Sequence, residues 1–194
     1  MAGDVNAGGR RREIVAAVYR VLARDGLEGA TLRRIATEAG CTTGSVTHHF
    51  ADRRALLEAT VDTAVEESMA RLLASWRREG PRAGLAEMLP LDETRRQEVT
   101  VWLAGVQAGA QDPELAERLA NRCAAAQERL VAELRARRGD ADGGATDDDV
   151  ELLADEVLSA VDGLAVYAVA DPRRYPPERQ LALVDRVLER TGLA

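Results

Sequence analysis

Thr31–Phe50 reads TLRRIATEAGCTTGSVTHHF, two short helical patterns joined at a glycine. Leu32, Ile35, Ala36 and Ala39 recur at helical spacing on one face, which turns Arg33 and Arg34 outward. Gly40 ends the first pattern, because a residue without Cβ adopts the left-handed backbone that a sharp helix-to-helix turn demands. Thr42 and Thr43 behind it are N-cap residues for a second helix over roughly Gly44–His49. Val46 is that helix's inward residue, and Thr43, Ser45, Thr47 and His48 face outward. Short donors and acceptors at the front of an exposed helix suit base edges and phosphates. An α-helix fits the major groove with its N-terminal residues facing the bases, so the segment predicts a helix-turn-helix.

Residues 10–57 resemble the N-terminal DNA-binding domain of TetR-family transcriptional regulators. That family's pattern, A-x-x-A-G-V-S-x-G-x-[LV]-Y-x-[HY]-F with a following Lys, is similar to IATEAGCTTGSVTHHFADRRALL here, with agreement at Gly40, Thr42, Gly44, Val46, His49, Phe50, Leu56 and Leu57. Thr47 stands where the family usually has a phosphate-holding Tyr, and Arg53 where it has Lys. Arginine keeps the cation with a different donor geometry; threonine shortens the reach and removes an aromatic surface. The resemblance implies base or near-base contacts for Arg33, Thr43, Ser45 and His48, and phosphate contacts for Thr42, Thr47, His49 and Arg53. For His49 a packed ring propping the helix is the other reading, and Phe50 belongs to the core.

Charge is distributed as this expectation requires. The 194-residue chain has a net charge of −7, and all 26 of its cationic residues are arginine. Residues 1–54 hold nine arginines against six acidic residues, a net +3 that leaves −10 on the other 140. A basic end on an acidic body neutralises phosphates on one surface only. The hydrophobic content of 46% with 3% aromatic residues points to helices packed through Ala, Leu and Val. Cys41 and Cys123, the two cysteines, have no metal-binding spacing. Cys41 reads as a small buried hydrophobe or as a redox-sensing thiol. The polar N-terminus and the lack of any apolar run near about 18 residues predict a cytosolic protein without membrane contact.

Outward from the motif, residues 1–9 are expected to form a disordered tail, 10–52 the helix-turn-helix domain, and 53–194 an effector-binding and dimerisation domain, all α-helical. A first helix runs from about Arg10 to Arg24 and stops at Gly26. A long helix from Arg53 to Arg78, with Leu57, Val61, Val65, Met69, Leu72 and Trp76 in register, connects the reading head to the body. Further helices are predicted over 82–89, 92–109 and 113–138, then an exposed loop GDADGGATDDD at 139–149. The last two, about Asp148–Ala170 and Pro177–Thr191, are too apolar for a lone surface. The resemblance implies that they pair with their copies in a homodimer; a fully internal helix is the alternative for the first. LADEVLSAVDGLAVYAVADP is also similar to the C-terminal domain of the choline-responsive repressor subgroup.

Trp102, Tyr167, Gln107 and Cys123, with Trp76, Met88, Val106 and Gln127, are candidates to line an apolar effector pocket. Asp162, polar within an apolar helix, is read as binding a cationic ligand or capping a helix across the dimer. An enzyme finds no support: G-x-S-x-G, H-E-x-x-H and a phosphate-cradling loop with Lys are missing. His48 and His49, adjacent and so about 100° apart on a helix, cannot chelate one metal as an i, i+4 pair does. No metal or cofactor is expected. The sequence therefore predicts a dimeric, ligand-responsive DNA-binding regulator of an inverted-repeat operator, with double-stranded DNA and a small molecule as partners. The rival reading is a TetR-like coregulator or ligand-binding bundle without operator recognition.

Overall fold

The computed structural model describes residues 2–138 and 146–194, and these form nine α-helices with no strand among them. They are α1 (Ala2–Gly29), α2 (Leu32–Glu38), α3 (Thr43–His49), α4 (Arg53–Glu79), α5 (Pro81–Ala86), α6 (Glu93–Gly109), α7 (Pro113–Arg138), α8 (Asp147–Ala170) and α9 (Pro177–Thr191). Residues 139–145 of the expected exposed loop lie outside the described residues.

Local chemistry sets the boundaries. Thr31, Thr42 and Asp52 cap α2, α3 and α4, their side chains accepting from the backbone N–H of Arg34, Ser45 and Ala55 at 3.3, 3.1 and 2.7 Å. Between α2 and α3, Gly40 takes φ 62°. The N–H of Cys41 then reaches Ala36 O at 2.9 Å and the N–H of Gly40 reaches Thr37 O at 3.2 Å. This pair of bonds is the Schellman closure, which satisfies carbonyls at the end of α2 while reversing the chain. Thr146 and Asp149 form a reciprocal capping box at the start of α8.

Three boundaries differ from the sequence expectation, the first being α5, which ends at Ala86 where a helix to 89 is expected. Gly26, at φ 68° and ψ −175°, does break α1, but helix resumes for one turn to Gly29. At the other end, α1 continues back to Ala2, where a disordered tail is expected. No proline interrupts that stretch, and extending an existing helix costs far less than nucleating one.

Two apolar clusters hold the molecule together. One joins α1, α2 and α3 to the first half of α4 through Ile14, Val18, Leu22, Ile35, Val46, Phe50, Leu56 and Val61, and continues into Val101 and Ala104 of α6 and Leu115 and Leu119 of α7. The other gathers Met69, Leu72 and Trp76 of α4 with Leu85, Leu130, Leu134, Val157, Val161, Val184 and Leu188. α4 thus runs through both, and α1 packs directly on α6. The crossing of α4 and α6 is close because of Gly105, where an added Cβ would lie 2.8 Å from Val61 Cγ2.

α8 is not fully internal. It buries Val150, Leu153, Ala154, Val157, Val161, Ala165 and Ala168, yet Leu152 and Tyr167 remain 66% and 62% exposed. No helix among the described residues is long and apolar enough to cross a membrane.

Candidate functional site

α3 is anchored by one face and offers the other. Val46 is fully buried and Phe50 nearly so, whereas Thr42, Thr43, Thr47 and His48 are exposed and Ser45 and His49 half-buried. Thr42 caps the helix as acceptor, which leaves its own O–H free to donate to a phosphate. The Thr47 hydroxyl instead donates back to Thr43 O and Gly44 O, each at 3.2 Å, and so lies against its own helix. His48 and His49 meet edge-on with ring centroids 5.3 Å apart. Among the described residues, no group of three or more His, Cys, Asp or Glu side chains could hold a metal ion. Cys41 packs half-buried against the first cluster, as a small hydrophobe does.

The arginines around this face are unequal. Arg33 is exposed and has no ion pair among the described residues, while Arg34 pairs with Asp25 at 3.3 Å. Arg20 and Arg24 both hold Glu38, at 2.6 and 3.0 Å, and keep its carboxyl below the usual range. Arg53 is exposed but partly engaged within the chain: Nε donates to Ala30 O at 2.9 Å and Nη2 to Leu27 O. The guanidinium ties the start of α4 to the end of α1, because terminal helix carbonyls want donors and a fork-shaped cation supplies several. Only its remaining N–H groups are free for a phosphate. Arg11 was not singled out in the sequence, yet its guanidinium lies 5.1 Å from the Phe50 ring centroid, beside the end of α3. The basic run at Arg10–Arg12 was the available signal.

A second feature lies in the body. A cavity of about 140 Å³ sits between the two clusters, walled by Ala64, Val65 and Trp102 from the side of the first and by Met69, Met88, Val99 and Leu158 from the second. A cavity near this size holds a molecule about as large as benzene. Its polar lining consists of Ser68, Glu87, Arg95, Glu98, Cys123 and Asp162. Arg71 bridges Glu98 and, at 3.3 Å, Glu87, while Arg95 lies 3.5 Å from Glu87 and 2.8 Å from Asp92. Burial pushes the Glu98 carboxyl up, against the pull of Arg71. Asp162 differs from both glutamates in having no ion pair among the described residues. It opens to solvent along one edge of α8, but the apolar side chains crowded around its carboxyl push it up to about 6. Desolvation first, and the neighbouring Asp162 charge second, raise the Cys123 thiol at the same mouth.

Of the residues proposed for the effector pocket, the structure brings Trp102, Cys123, Met88 and Asp162 to this cavity. The others lie elsewhere. Tyr167 is exposed and stacks on Tyr175 with centroids 5.9 Å apart, and Gln107 and Val106 face solvent on α6. Trp76 is packed in the second cluster, and Gln127 donates to Asp155 at 2.7 Å. Helical spacing identifies an apolar face but not which part of it meets a void. Glu98 was missed, although an acid at an inward position of α6 was a legible sign.

The family described as bacterial regulatory proteins of the tetR family matches residues 14–60, and the BetI-type transcriptional repressor C-terminal family matches 77–192. The HTH-type transcriptional regulator PksA of Bacillus subtilis is 29% identical over 178 residues, covering 88% of this chain and 83% of PksA. A transcriptional regulator from Rhodococcus sp. RHA1 superposes with a TM-score of 0.80 at 32% identity, over 93% of this chain and 95% of that one. A regulator from Saccharomonospora viridis, solved in complex with choline, has the same fold, with a TM-score of 0.77 at 21% identity over 94% and 96% of the two chains.

Proposed function

The chain belongs to the TetR family of bacterial transcriptional regulators, with a BetI-type C-terminal domain, and we propose that it represses by binding an inverted-repeat operator as a homodimer and lets go when a small cation fills its cavity. It is a ligand-responsive DNA-binding regulator and not an enzyme. The observation that carries the proposal is the exposed polar face of α3, held outward by the Gly40 closure and the buried Val46. On this reading residues 10–52 act as the reading head and 53–194 as the cytosolic effector-binding and dimerising body.

Arg33, Thr43, Ser45 and His48 read base edges, and Thr42, His49 and the remaining N–H groups of Arg53, joined by Arg11, contact phosphates; Thr47 does so only by giving up its bonds to Thr43 O and Gly44 O. Two such heads related by a two-fold axis meet successive major grooves about 34–36 Å apart. The apolar side chains exposed on α8, Leu152 and Tyr167 above all, support pairing through α8 and α9, since a lone chain gains nothing by leaving them wet. For the effector, the choline held by the Saccharomonospora viridis relative supports a small ammonium. Trp102 supplies a π face and Asp162 an uncommitted carboxylate, which together suit a cation with an apolar body. A ligand between the two clusters acts only through unequal affinity for the two arrangements of head and body.

The test is a gel shift with the upstream region of the chain's own gene against random duplex, repeated across a salt titration. Arg33→Ala should change which sequences are preferred, whereas loss of a phosphate contact weakens binding to all of them. Leu152→Glu should give a monomer in sedimentation and a large loss of operator affinity. If the unaltered protein shows no preference for any inverted repeat, the coregulator reading replaces this one.

A further inference from the structure

Two buried side-chain polar atoms among the described residues have no hydrogen-bond partner, Gln180 Oε1 and the Tyr19 hydroxyl. Gln180 is still tethered, because its Nε2 donates to Tyr175 O at 2.8 Å. Tyr19 has nothing. Its ring packs against the first cluster from α1, and its hydroxyl lies in the field of Glu67 and Arg71 of α4 and Glu98 of α6. Burial foremost, then the two carboxylates, drive its pKa far above the ordinary value, so the group is a committed donor without an acceptor. Native proteins rarely leave a buried hydroxyl in that state, and where they do a reason is owed.

Glu98 supplies the reason. It is 6% exposed, yet it lines the cavity, and its carboxylate is held by Arg71. One side chain therefore borders the cavity and the connector helix, and lies within electrostatic reach of the helix that carries the reading head. We propose that Tyr19 is a positioning residue that reports the cavity's contents to the head: a ligand that moves Glu98 off Arg71 lets its carboxylate accept from the Tyr19 hydroxyl, and α1 is drawn towards α6. The Tyr19 hydroxyl has no acceptor in the present arrangement, so the second arrangement gains a hydrogen bond that the first lacks. The ligand then needs only a modest preference to select it. This inference rests on the cavity being the effector site.

The experiment is a double-mutant cycle that needs no effector. Operator affinity, by fluorescence anisotropy on the preferred inverted repeat, and melting temperature are measured for the full chain, Tyr19→Phe, Glu98→Gln, the double variant and Glu67→Gln. Glu98→Gln gives up the charge that binds it to Arg71 but keeps an acceptor, so it should take the tyrosine bond unaided and change operator affinity by about three- to tenfold, the worth of one neutral hydrogen bond. In the Tyr19→Phe background the same change should move affinity by less than about twofold. Tyr19→Phe alone should raise the melting temperature. Additive effects, a lowered melting temperature for Tyr19→Phe, or coupling to Glu67 in place of Glu98 would each overturn the proposal. If no form prefers operator over random duplex, the repressor reading has failed, and the melting temperatures decide alone: a coupled pair upholds the switch and an additive pair removes it.

Discussion

Gly105→Ala should have opposite effects on stability in two backgrounds that differ by one side chain. The new Cβ would lie 2.8 Å from Val61 Cγ2 and 3.6 Å from a Leu119 methyl. Val61 is fully buried on α4 and, being β-branched in a helix, has essentially one χ1 rotamer, so it cannot swing aside. Overpacking of this kind costs about 1–3 kcal/mol. Against it stands the gain of about 1 kcal/mol from replacing glycine by alanine within a helix. The net loss in the unaltered protein is therefore roughly 0–2 kcal/mol. Val61→Ala removes Cγ2, which the new carbon would strike, together with Cγ1, which it would merely touch at 3.5 Å. In that background only the helical gain remains, and Gly105→Ala should stabilise by about 1 kcal/mol. The coupling between the two sites is then roughly 1–3 kcal/mol, read from urea denaturation of the four proteins at one fixed concentration. A Gly105→Ala effect of the same sign and size in both backgrounds would show that α4 and α6 do not meet closely there.

Arg53→Ala should lower the melting temperature by a few degrees, because it strips two donors from the carbonyls of Leu27 and Ala30; Arg53→Lys should recover only part of this, and a Lys variant as stable as the parent would refute the bidentate tie. Binding of choline, followed by calorimetry between pH 5 and 8, should be strongest above pH 7 and fall about tenfold by pH 5, since Asp162 with a pKa near 6 loses its charge over that range. Because the folded pKa is raised, this carboxyl favours the folded state more at low pH, and its ionisation as pH rises through about 6 removes stability. Asp162→Asn should flatten both profiles, and an undiminished pH dependence in that variant would exclude the carboxyl as the cause.

The parts of the fold that rest on local chemistry were readable in advance. The glycine turn at Gly40, the Thr42 cap and the bounds of α9, with Pro177 at its first turn and Gly192 behind it, all follow from backbone rules that act within a few residues. What depended on tertiary contact was not. The resemblance places Arg53 at a phosphate-holding position, but nothing near it in sequence shows that two of its donors also serve carbonyls 23 and 26 residues away. Tyr167 and Trp102 looked alike as scarce aromatics on body helices. One now stacks on Tyr175 at the surface and the other borders the void, a difference set by the rotation of α8 and α6 against their neighbours. The sequence around Tyr19 does not mark it either, because the fate of its hydroxyl depends on Glu67, Arg71 and Glu98, which lie on other helices.

The void between the two apolar clusters has a consequence for how the molecule comes apart. Without a guest, each cluster closes largely on itself, and the link across the gap is carried by α4 and α7, which enter both clusters, with α6 beside them. Amide exchange should then reveal two cooperative units, with α1, α2 and α3 opening at a lower free energy than α8. A guest lodged in the gap touches both at once, and so works as mortar between two courses of brick. Its signature in solution would be the merging of those two openings into one.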